Sequence, residues 1–341
     1  MIVAAYNEGG CIAGKIRSTF QQRYPWDCLE LIVVSDGSTD GTDDVVKRYP
    51  DPRVKLIRQE PRSGKSVALN RGVAAARGDV LVFTDANAVF APGAIARLAA
   101  PFDDRRVGLV SGQGLYASGA ADARAVSNGY VRFEAFLKRG EAALGFVAGA
   151  DGAIYALRRE LYRELHGAQV NDLLHPVQAA LAGTLCRFDP KAFTLEPPSR
   201  GGSQEFSRHV RIIAQGVHIV REWLPRLVAA RRWRAVWMLV SHRMLRWVTA
   251  PSLGVMLLAN ARLAGGDTFY AITLAGQGLF YATALTGYLA ERLGVHLGPL
   301  AIPYYFCTVA AAGIVGLARF ARRGAESVWA PRGHAAVSKR A

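Results

Sequence analysis

Acidic side chains follow three short apolar runs in this 341-residue chain, and they are Glu8, Asp36 and Asp85. An apolar run that stops at such a residue is typical of a buried strand ending in a turn. Because ligands of open α/β sheets bind outside the carboxyl ends of the strands, we expect the three carboxylates to line one crevice. Carboxylates in such a crevice suit a nucleotide and a divalent cation. The simpler interpretation of each residue is a polar turn that caps the next helix.

The elements that would position these carboxylates alternate along the first 90 residues. The clearest is Leu31–Val34, a run apolar enough to be covered on both faces, followed by a loop rich in aspartate, glycine and hydroxyl side chains. Strands are predicted at 2–5, 29–34, 54–57 and 79–83, and helices at 11–21, 40–48 and 63–76. Strands that alternate with helices predict an α/β fold with a mostly parallel central sheet.

Two glycine-rich motifs suggest other nucleotide sites, and both are rejected. Residues 62–66 resemble the end of a Walker A loop, but Gln59 stands where that motif needs its first glycine. Residues 112–117 fit a dinucleotide-binding pattern, yet the pattern comes late in the chain and no helix clearly opens on it.

The composition indicates an anionic partner. The formal net charge is +15, and 51% of the residues are hydrophobic. Such a charge suits nucleic acid, a phosphorylated substrate or a membrane surface. The four cysteines form neither a CxxC pair nor a metal-binding spacing, so we expect free thiols in a reducing compartment. No signal peptide precedes the first strand, and the shortness of that strand suggests that the natural chain begins upstream, with a membrane segment there.

Several motifs resemble those of one enzyme family. The N-terminal ones are Ala-Ala-Tyr-Asn-Glu, Val-Val-Ser-Asp-Gly-Ser-Thr-Asp-Gly-Thr, Gly-Lys-Ser-Val-Ala-Leu-Asn and Phe-Thr-Asp-Ala-Asn. In this order they are similar to the inverting, family 2 nucleotide-sugar glycosyltransferases of the GT-A fold. Segments 149–159, 171–174 and 205–211 resemble the acceptor-side, catalytic acidic and QxxRW motifs of the membrane-bound synthases for cellulose, hyaluronan and related polysaccharides. The resemblance covers residues 1 to 320.

The resemblance implies a donor site in the crevice. Asp36 would read the base of the nucleotide, and Tyr6 and Glu8 would lie against base and ribose. Lys65 would contact a phosphate or the sugar, and the alternative for it is a solvated lysine at the start of a helix.

A divalent cation is also implied, because the leaving diphosphate carries charge that a cation neutralises. Asp85 would be the first ligand of Mg²⁺ or Mn²⁺, since these ions bind hard oxygen atoms. Asn87 stands where the family often has a second aspartate. A neutral amide binds a cation less strongly, so Asn87 is either a second ligand or an orienting residue.

On the acceptor side, the resemblance makes Asp172 the general base, which takes the proton of the attacking hydroxyl in one inverting displacement. His175 is the rival base, although a histidine before proline is more often a capped, solvated residue. Gly149 would let a bulky acceptor approach the backbone, and Asp151 would contact the acceptor or hold a turn. Arg208 would bind the diphosphate, which a guanidinium can do with two hydrogen bonds.

The C-terminal third has the features of a membrane protein. Residues 207–250 hold nine arginines, one acidic residue and four interleaved tryptophans, a pattern of helices on a bilayer surface. Residues 268–290 and 293–318 lack Asp, Glu, Lys and Arg, and ~20 helical residues span a bilayer. Nucleic acid would use the same charge, but the apolar runs favour a membrane. The basic tail after residue 318 is expected in the cytoplasm, on the same side as the catalytic domain. Two spans place both on that side and three do not, whereas relatives often have three.

These observations predict a multi-pass inner-membrane glycosyltransferase with its catalytic domain in the cytoplasm. Its parts would be a GT-A domain at 1–222, amphipathic interface helices at 223–250, two or three transmembrane helices at 251–320, and a basic cytoplasmic or flexible tail at 321–341. The expected reaction moves a sugar, with inversion, from a nucleotide donor, expected to be a UDP-sugar, to a growing polysaccharide or a lipid-linked acceptor. The alternatives are single addition to a lipid and a catalytically silent membrane subunit.

Overall fold

Alternating strands and helices build one eight-stranded sheet in the computed structural model, which describes residues 1–116, 121–167, 169–197, 202–295 and 298–324. The strands are β1 (Ile2–Ala5), β2 (Leu31–Asp36), β3 (Val54–Gln59), β4 (Val80–Phe83), β5 (Val89–Phe90), β6 (Val107–Tyr116), β7 (Tyr155–Arg158) and β8 (Leu185–Glu196). The helices are α1 (Ile12–Phe20), α2 (Thr42–Lys47), α3 (Lys65–Ala75), α4 (Ala94–Ala99), α5 (Ala121–Ala143), α6 (Asn171–Leu181), α7 (Gly202–Ala229), α8 (Trp233–Leu239), α9 (Leu245–Trp247), α10 (Thr249–Leu263), α11 (Thr268–Arg292) and α12 (Ile302–Arg323).

The sheet has the strand order β3-β2-β1-β4-β7-β6-β8-β5. The first four strands of this order pair in parallel, as do β6 and β8. β7 runs antiparallel to both of its neighbours, and β5 is antiparallel to β8. The predicted α/β fold with a mostly parallel sheet is confirmed, and the antiparallel strand at its centre is an addition that the sequence did not predict.

Two apolar cores lie on opposite faces of this sheet, as the strand period of two requires. All six residues of β2 are buried. Ile32 and Val34 pack on the face that carries Leu69 of α3, whereas Leu31 and Val33 pack on the other face. A buried aliphatic side chain of this kind contributes ~1.5–3 kcal/mol, so the two cores fix the sheet whose strand ends form the crevice.

The helices after residue 202 pack onto this catalytic fold. Helix α7 runs without a break across position 222, where the sequence suggested a domain boundary. Leu227 on α7 and Leu239 on α8 are buried in the same core as α3. Trp233 and Trp237 on α8 remain 59% and 69% exposed. Helix α8 is therefore amphipathic, with one face on the catalytic fold and aromatic side chains on the other.

One helix in the described part of the chain, Ile302–Arg322, is long and apolar enough to cross a membrane by length and composition. It is α12, and it starts later than the uncharged run 293–318 suggested, because residues 298–301 form a separate 3-10 turn. Helix α11 has 25 residues, and it contains four threonines and Gln277, which are polar. Most of the predicted basic tail, residues 325–341, lies outside the described residues.

Candidate active site

The loops after β1 and β2 are joined into one rim of the crevice. Asn7 has a left-handed backbone (φ 56°), which asparagine tolerates, and its side-chain oxygen accepts a hydrogen bond from the Thr39 N–H at 2.8 Å. The Glu8 N–H donates to Thr42 Oγ1 at 2.9 Å. The Glu8 side chain is buried, and its carboxylate accepts from Cys11 Sγ at 3.0 Å. Glu8 thus lies at the predicted strand end, but its side chain braces the start of α1.

Asp36 ends β2 and holds the loop that leads to α3. Its side chain is 2% exposed. One carboxylate oxygen accepts from Gln59 Nε2 at 2.6 Å and from the Ser63 N–H at 2.8 Å, and the other accepts from the Gly64 N–H at 2.9 Å. Asp36 therefore anchors the peptide immediately before Lys65, and the base-reading role inferred from resemblance stays a prediction.

Tyr6 and Arg62 form a stacked pair at the mouth of the crevice. The guanidinium carbon of Arg62 lies 3.7 Å from the centre of the Tyr6 ring. Within the described residues, Nε and Nη2 of Arg62 are buried and have no hydrogen-bond partner. Two N–H groups held flat on an aromatic ring can bind the oxygen atoms of a nucleotide. Sequence reasoning missed Arg62, because it lay inside the rejected Walker-like motif.

Lys65 and Asp85 form an ion pair at the centre of the crevice, with Nζ and Oδ1 2.7 Å apart. Both side chains are about one-third exposed. Burial alone would lower the pKa of Lys65, but the Asp85 carboxylate outweighs it and raises that pKa. Arg211 of α7 lies close enough to oppose this rise. Lys65 therefore keeps its proton, and its ammonium is available to contact a diphosphate.

The residues around Asp85 fit a divalent cation that shares its ligands with the substrate. Asn87 is buried, and its Nδ2 has no hydrogen-bond partner within the described residues. In that part of the chain, no three His, Cys, Asp or Glu side chains group as a metal site. Mg²⁺ and Mn²⁺ often bind through one or two carboxylates plus phosphate oxygens, so Asp85 and Asn87 suit such an ion once a diphosphate is bound.

A buried lysine supports the loop that carries Asp85. Lys15 of α1 is fully buried, and its Nζ donates to Thr84 Oγ1 at 2.5 Å and to the Ala88 carbonyl at 2.7 Å. The ammonium also lies 3.6 Å from the centre of the Phe90 ring. Burial lowers the pKa of Lys15. Lys15 thus fixes both ends of the Thr84–Ala88 loop, a role that its position in an ordinary helical pattern did not reveal.

Asp172 is the second residue of α6, and burial raises the pKa of its carboxyl group. Lys65 and Arg243 oppose this rise, whereas Asp85 and Asp151 add to it. No hydrogen bond to the Asp172 carboxylate occurs among the residues that the structure describes. Such a carboxylate, close to two cations and retaining a free acceptor, has the chemistry of a general base.

The neighbours of Asp172 in α6 face the core instead. Asn171 is buried and donates from Nδ2 to the Tyr155 hydroxyl at 2.6 Å. His175 is fully buried, its Nδ1 lies 2.8 Å from the same hydroxyl, and burial lowers its pKa to about 3. The expectation of a solvated His175 was wrong, because its ring packs against Phe83 and Tyr155. A neutral histidine in the core does not compete with Asp172 for the acceptor proton.

Pro176 connects Asp172 to the acceptor-side segment 148–152. A proline has no N–H, so the carbonyl of Asp172, four residues earlier, lacks its helical donor. The Ala150 N–H fills this place at 2.8 Å. A Cβ on Gly152 would stand 2.9 Å from Asp172 Oδ2. The segment is therefore hydrogen-bonded to the Asp172 backbone, and at Gly152 it lies close to the Asp172 carboxylate.

The two predicted acceptor-side residues have structural contacts in this segment. The Asp151 carboxylate accepts from the Gly114 N–H at 2.8 Å, and its own N–H donates to Ser111 Oγ at 3.0 Å. Gly149 was expected to admit a bulky acceptor. Instead, a Cβ at Gly149 would come within 1.9 Å of Arg243 Nη2, so the group that needs this space is an arginine from the C-terminal region.

The predicted diphosphate-binding arginine, Arg208, contacts the end of a strand. Arg208 donates from Nη1 to the Tyr116 hydroxyl at 2.6 Å, at the end of β6. Arg211, one turn further along α7, is the arginine that acts on Lys65. The sequence signal for Arg211 was its spacing of three residues from Arg208, which places both arginines on one side of the helix. The side chain of Glu205 in the same motif lies outside the described residues.

The N-terminal half of the chain resembles a known protein family. Residues 1–165 match the family described as "Glycosyl transferase family 2". The Bacillus subtilis (strain 168) protein named "Probable glycosyltransferase YdaM" is 26% identical over 248 residues, which are 69% of this chain and 59% of that protein. The succinoglycan biosynthesis protein ExoO of Rhizobium meliloti (strain 1021) is 36% identical over 97 residues, 28% of this chain and 27% of its own length. The chain thus spans less than two thirds of these relatives.

A solved structure resembles the chain over most of its length. It is the mannosyltransferase PcManGT from Pyrobaculum calidifontis in complex with GDP-Man and Mn²⁺. Its TM-score is 0.63 and its sequence identity 25%, over 92% of this chain and 86% of that one. Together with the family match, this likeness shows a GT-A-like fold whose N-terminal part, residues 1–165, is similar to family 2 glycosyltransferases.

Proposed function

We propose that this glycosyltransferase moves one sugar at a time from a nucleoside-diphosphate sugar to a hydroxyl of a polysaccharide or lipid-linked acceptor, with inversion at the anomeric carbon. The observation that carries the proposal is the arrangement in one crevice of the Lys65–Asp85 pair and a carboxyl with a raised pKa, Asp172. In the first pair, the Lys65 ammonium can contact a diphosphate directly, and the Asp85 carboxylate can bind it through a divalent cation. The second group has the basicity to activate a hydroxyl.

The donor nucleotide is proposed to lie with its base near Tyr6 and Arg62 and its diphosphate near Lys65 and Asp85. The sequence alone favoured a UDP-sugar, whereas the likeness to a mannosyltransferase solved with GDP-Man supports a GDP-sugar. Arg62 Nε lies 3.8 Å from Asp36 Oδ2, and neither Nε nor Nη2 has a hydrogen-bond partner within the described residues. These N–H groups suit the carbonyl oxygens of either base, so the two donors must be compared directly.

The proposed reaction is a single displacement. Asp172 accepts the proton of the acceptor hydroxyl while that oxygen bonds to the anomeric carbon and the bond from this carbon to the diphosphate oxygen breaks. No covalent intermediate with the enzyme is needed, and the configuration inverts. Lys65 stabilises the diphosphate as its charge grows. A divalent cation, which Asp85 and Asn87 would hold, supplies further positive charge to the same leaving group.

The C-terminal helices are proposed to anchor the enzyme in the inner membrane, with the catalytic domain in the cytoplasm where nucleotide sugars occur. Large apolar side chains along all three helices are exposed: Val255, Met256, Leu258, Phe269, Ile272, Leu279, Leu285, Leu289, Ile302 and Ile314. An exposed apolar area of this extent marks a protein or membrane contact. Helices α11 and α12 rise ~37 Å and ~33 Å, enough for a bilayer, whereas α10 rises only ~22 Å.

A donor panel tests the proposed function. Membranes that contain the chain would be incubated with radiolabelled GDP-mannose, UDP-glucose, UDP-N-acetylglucosamine and UDP-galactose, and the products extracted and sized. We expect label from one nucleotide in a lipid or polymer fraction, and an anomeric configuration opposite to that of the donor. The Asp172→Asn variant is the matched control. Binding of a nucleotide without transfer in any fraction would instead identify the silent membrane subunit.

A further inference from the structure

A short π-helical stretch, Val240–Met244, interrupts the helices that follow the catalytic fold. It widens the helix between α8 and α9 by one residue per turn, and such insertions often occur at functional sites. Two consecutive side chains of this stretch, His242 and Arg243, reach the catalytic domain. The stretch thus connects the amphipathic region of the chain to the acceptor side of the crevice.

His242 contacts the start of the acceptor-side segment through Glu141. His242 Nδ1 lies 2.5 Å from Glu141 Oε1, and Glu141 Oε2 accepts a hydrogen bond from the Ala148 N–H at 2.9 Å. Glu141 is only 5% exposed. A buried carboxylate needs a partner for its charge, so the contact fixes both the helix and the first residue of the segment.

Arg243 contacts the next peptide directly. Its Nε donates to the Ala148 carbonyl at 3.2 Å, and its Nη2 fills the space that a side chain at Gly149 would need. The other end of the same five-residue segment holds Asp172, through the Ala150 N–H and the close approach of Gly152. Arg243 and Asp172 therefore contact the same short segment, Arg243 at its first two residues and Asp172 at Ala150 and Gly152.

We propose that Arg243 is a positioning residue for sugar transfer, which holds segment 148–152 so that the Asp172 carboxylate stays directed at the acceptor hydroxyl. The inference rests on the proposed function, because it assigns Asp172 as the base. It means that the acceptor site is complete only when the helices next to the membrane are docked on the catalytic domain.

The charges around Asp172 make this role measurable. Burial raises the pKa of Asp172, Asp85 and Asp151 add to the rise, and Lys65 and Arg243 lower the pKa. Removing Arg243 deletes one of these two cations. The carboxyl of Asp172 should then hold its proton to a higher pH, and base catalysis should require a more alkaline solution.

The test compares Arg243→Ala, Arg243→Lys and the control Arg234→Ala in the full chain in detergent. Arg234 is an exposed arginine at the start of α8. Chains labelled with ¹³C at the aspartate carboxyl carbons are titrated by NMR, and the Asp172 signal is the one that Asp172→Asn lacks. Transfer from GDP-[¹⁴C]mannose and UDP-[¹⁴C]glucose is measured from pH 5 to 9 in parallel.

We expect Arg243→Ala to move the Asp172 titration and the acidic limb of kcat to higher pH, and to lower kcat by up to ~10²-fold, as for a misplaced catalytic group. Arg243→Lys keeps the charge but not the planar contact, so its titration should stay near wild type while kcat falls. Arg234→Ala should match wild type in both measurements. If Arg243→Ala is too unstable, Gly149→Ala displaces the guanidinium without removing it and should lower kcat in the same way.

An unchanged Asp172 titration in Arg243→Ala would overturn the proposal, and so would a shifted titration with unchanged transfer. The NMR titration needs no substrate, so it separates this inference from the proposed function. If Asp172→Asn transferred sugar at the wild-type rate, the assignment of the base would fail, and with it the positioning role.

Discussion

Neighbouring residues at the start of α6 have different roles around the Asp172 carboxylate. Asn171 and His175 face the core and share the Tyr155 hydroxyl, whereas the Asp172 carboxylate accepts no hydrogen bond within the described residues. Pro176 then releases the Asp172 carbonyl to the acceptor-side segment. Neighbours with similar polar chemistry thus have different roles, because the helix period sends residues 171 and 175 to the core and residue 172 to the crevice.

The replacement of Asp172 by asparagine should separate binding from turnover. Asparagine keeps the size of the side chain but cannot accept the proton, so kcat should fall by ~10²–10⁴-fold. Donor affinity should change little, because Lys65 and Asp85 are untouched. The measurements are initial rates and donor binding by calorimetry. Loss of both together with a lower melting temperature would indicate a structural aspartate instead.

The same variant predicts a pH-dependent stability. The folded-state pKa of Asp172 is raised, so between the unfolded and folded pKa values the native state binds more protons, and stability falls as pH rises. Above that window the buried carboxylate costs stability that Asp172→Asn avoids. We therefore expect the variant to melt higher than wild type at pH 8 and to lose this advantage at pH 4. Melting curves at the two pH values measure the difference.

Metal dependence is predicted from the environment of Asp85. EDTA should stop turnover, and Mn²⁺ or Mg²⁺ should restore it, because a diphosphate leaving group needs more positive charge than Lys65 provides. Asp85→Ala should weaken both donor binding and turnover. It also removes the carboxylate that pairs with Lys65. Full activity in EDTA would remove Asp85 and Asn87 from the metal assignment.

At the scale of elements, the loop between β3 and α3 depends on Asp36. An asparagine there keeps one acceptor oxygen but presents an N–H₂ to a backbone N–H in a buried place. Such a group left unsatisfied costs ~1–3 kcal/mol. We expect Asp36→Asn to lower the unfolding midpoint and to weaken donor binding, since Lys65 follows the loop directly.

Asp51→Asn is the matched control for this element. Asp51 pairs with Arg53 at 2.6 Å on a partly exposed turn, where an ion pair contributes little. Its stability and donor binding should stay near wild type. A normal midpoint for Asp36→Asn combined with weaker donor binding would favour direct contact between Asp36 and the base over its role as an anchor.

Local sequence pattern predicted the elements that depend on local information. The apolar run of β2 and the helix starts near Thr42 and Lys65 have their own signals in strand burial and turn chemistry. β7 was missed because its four residues gain their place only by pairing with β4 and β6, which are distant in the chain. Arg243 was missed for the same reason, since it reaches segment 148–152 from almost a hundred residues away.

At the scale of the whole molecule, α12, which we propose spans the membrane, packs directly onto α7, the helix next to the candidate active site. A side chain at Gly316 of α12 would stand 2.9 Å from Ile213 Cβ on α7, so the two helices touch through their backbones. Helix α7 carries Arg208 and Arg211. The position of the crevice relative to the bilayer would therefore follow from that of α12, because no flexible linker separates them.

The last prediction concerns the number of membrane spans, which can be read from the sides on which the loops before and after α11 lie. With the catalytic domain in the cytoplasm, spans by α11 and α12 alone put the loop before α11 inside and the loop after it outside, whereas a third span by α10 reverses both. Because α10 is short for a bilayer at ~22 Å, we expect two spans. Gly265→Cys and Val295→Cys place thiols in the two loops, and neither should disturb the fold, since a Cβ at Gly265 meets open space and Val295 is 51% exposed.

An impermeant maleimide applied to intact cells should label Val295→Cys at once and Gly265→Cys only after permeabilisation. The native Cys28, which is exposed on the catalytic domain, serves as the internal control and should react only after permeabilisation. The chain should also stay with membranes through an alkaline carbonate wash, because apolar side chains on α11 and α12 lose their hydrocarbon contacts on leaving the bilayer. Labelling of Gly265→Cys alone in intact cells would establish three spans. Release by carbonate would mean that these helices bind another protein surface instead.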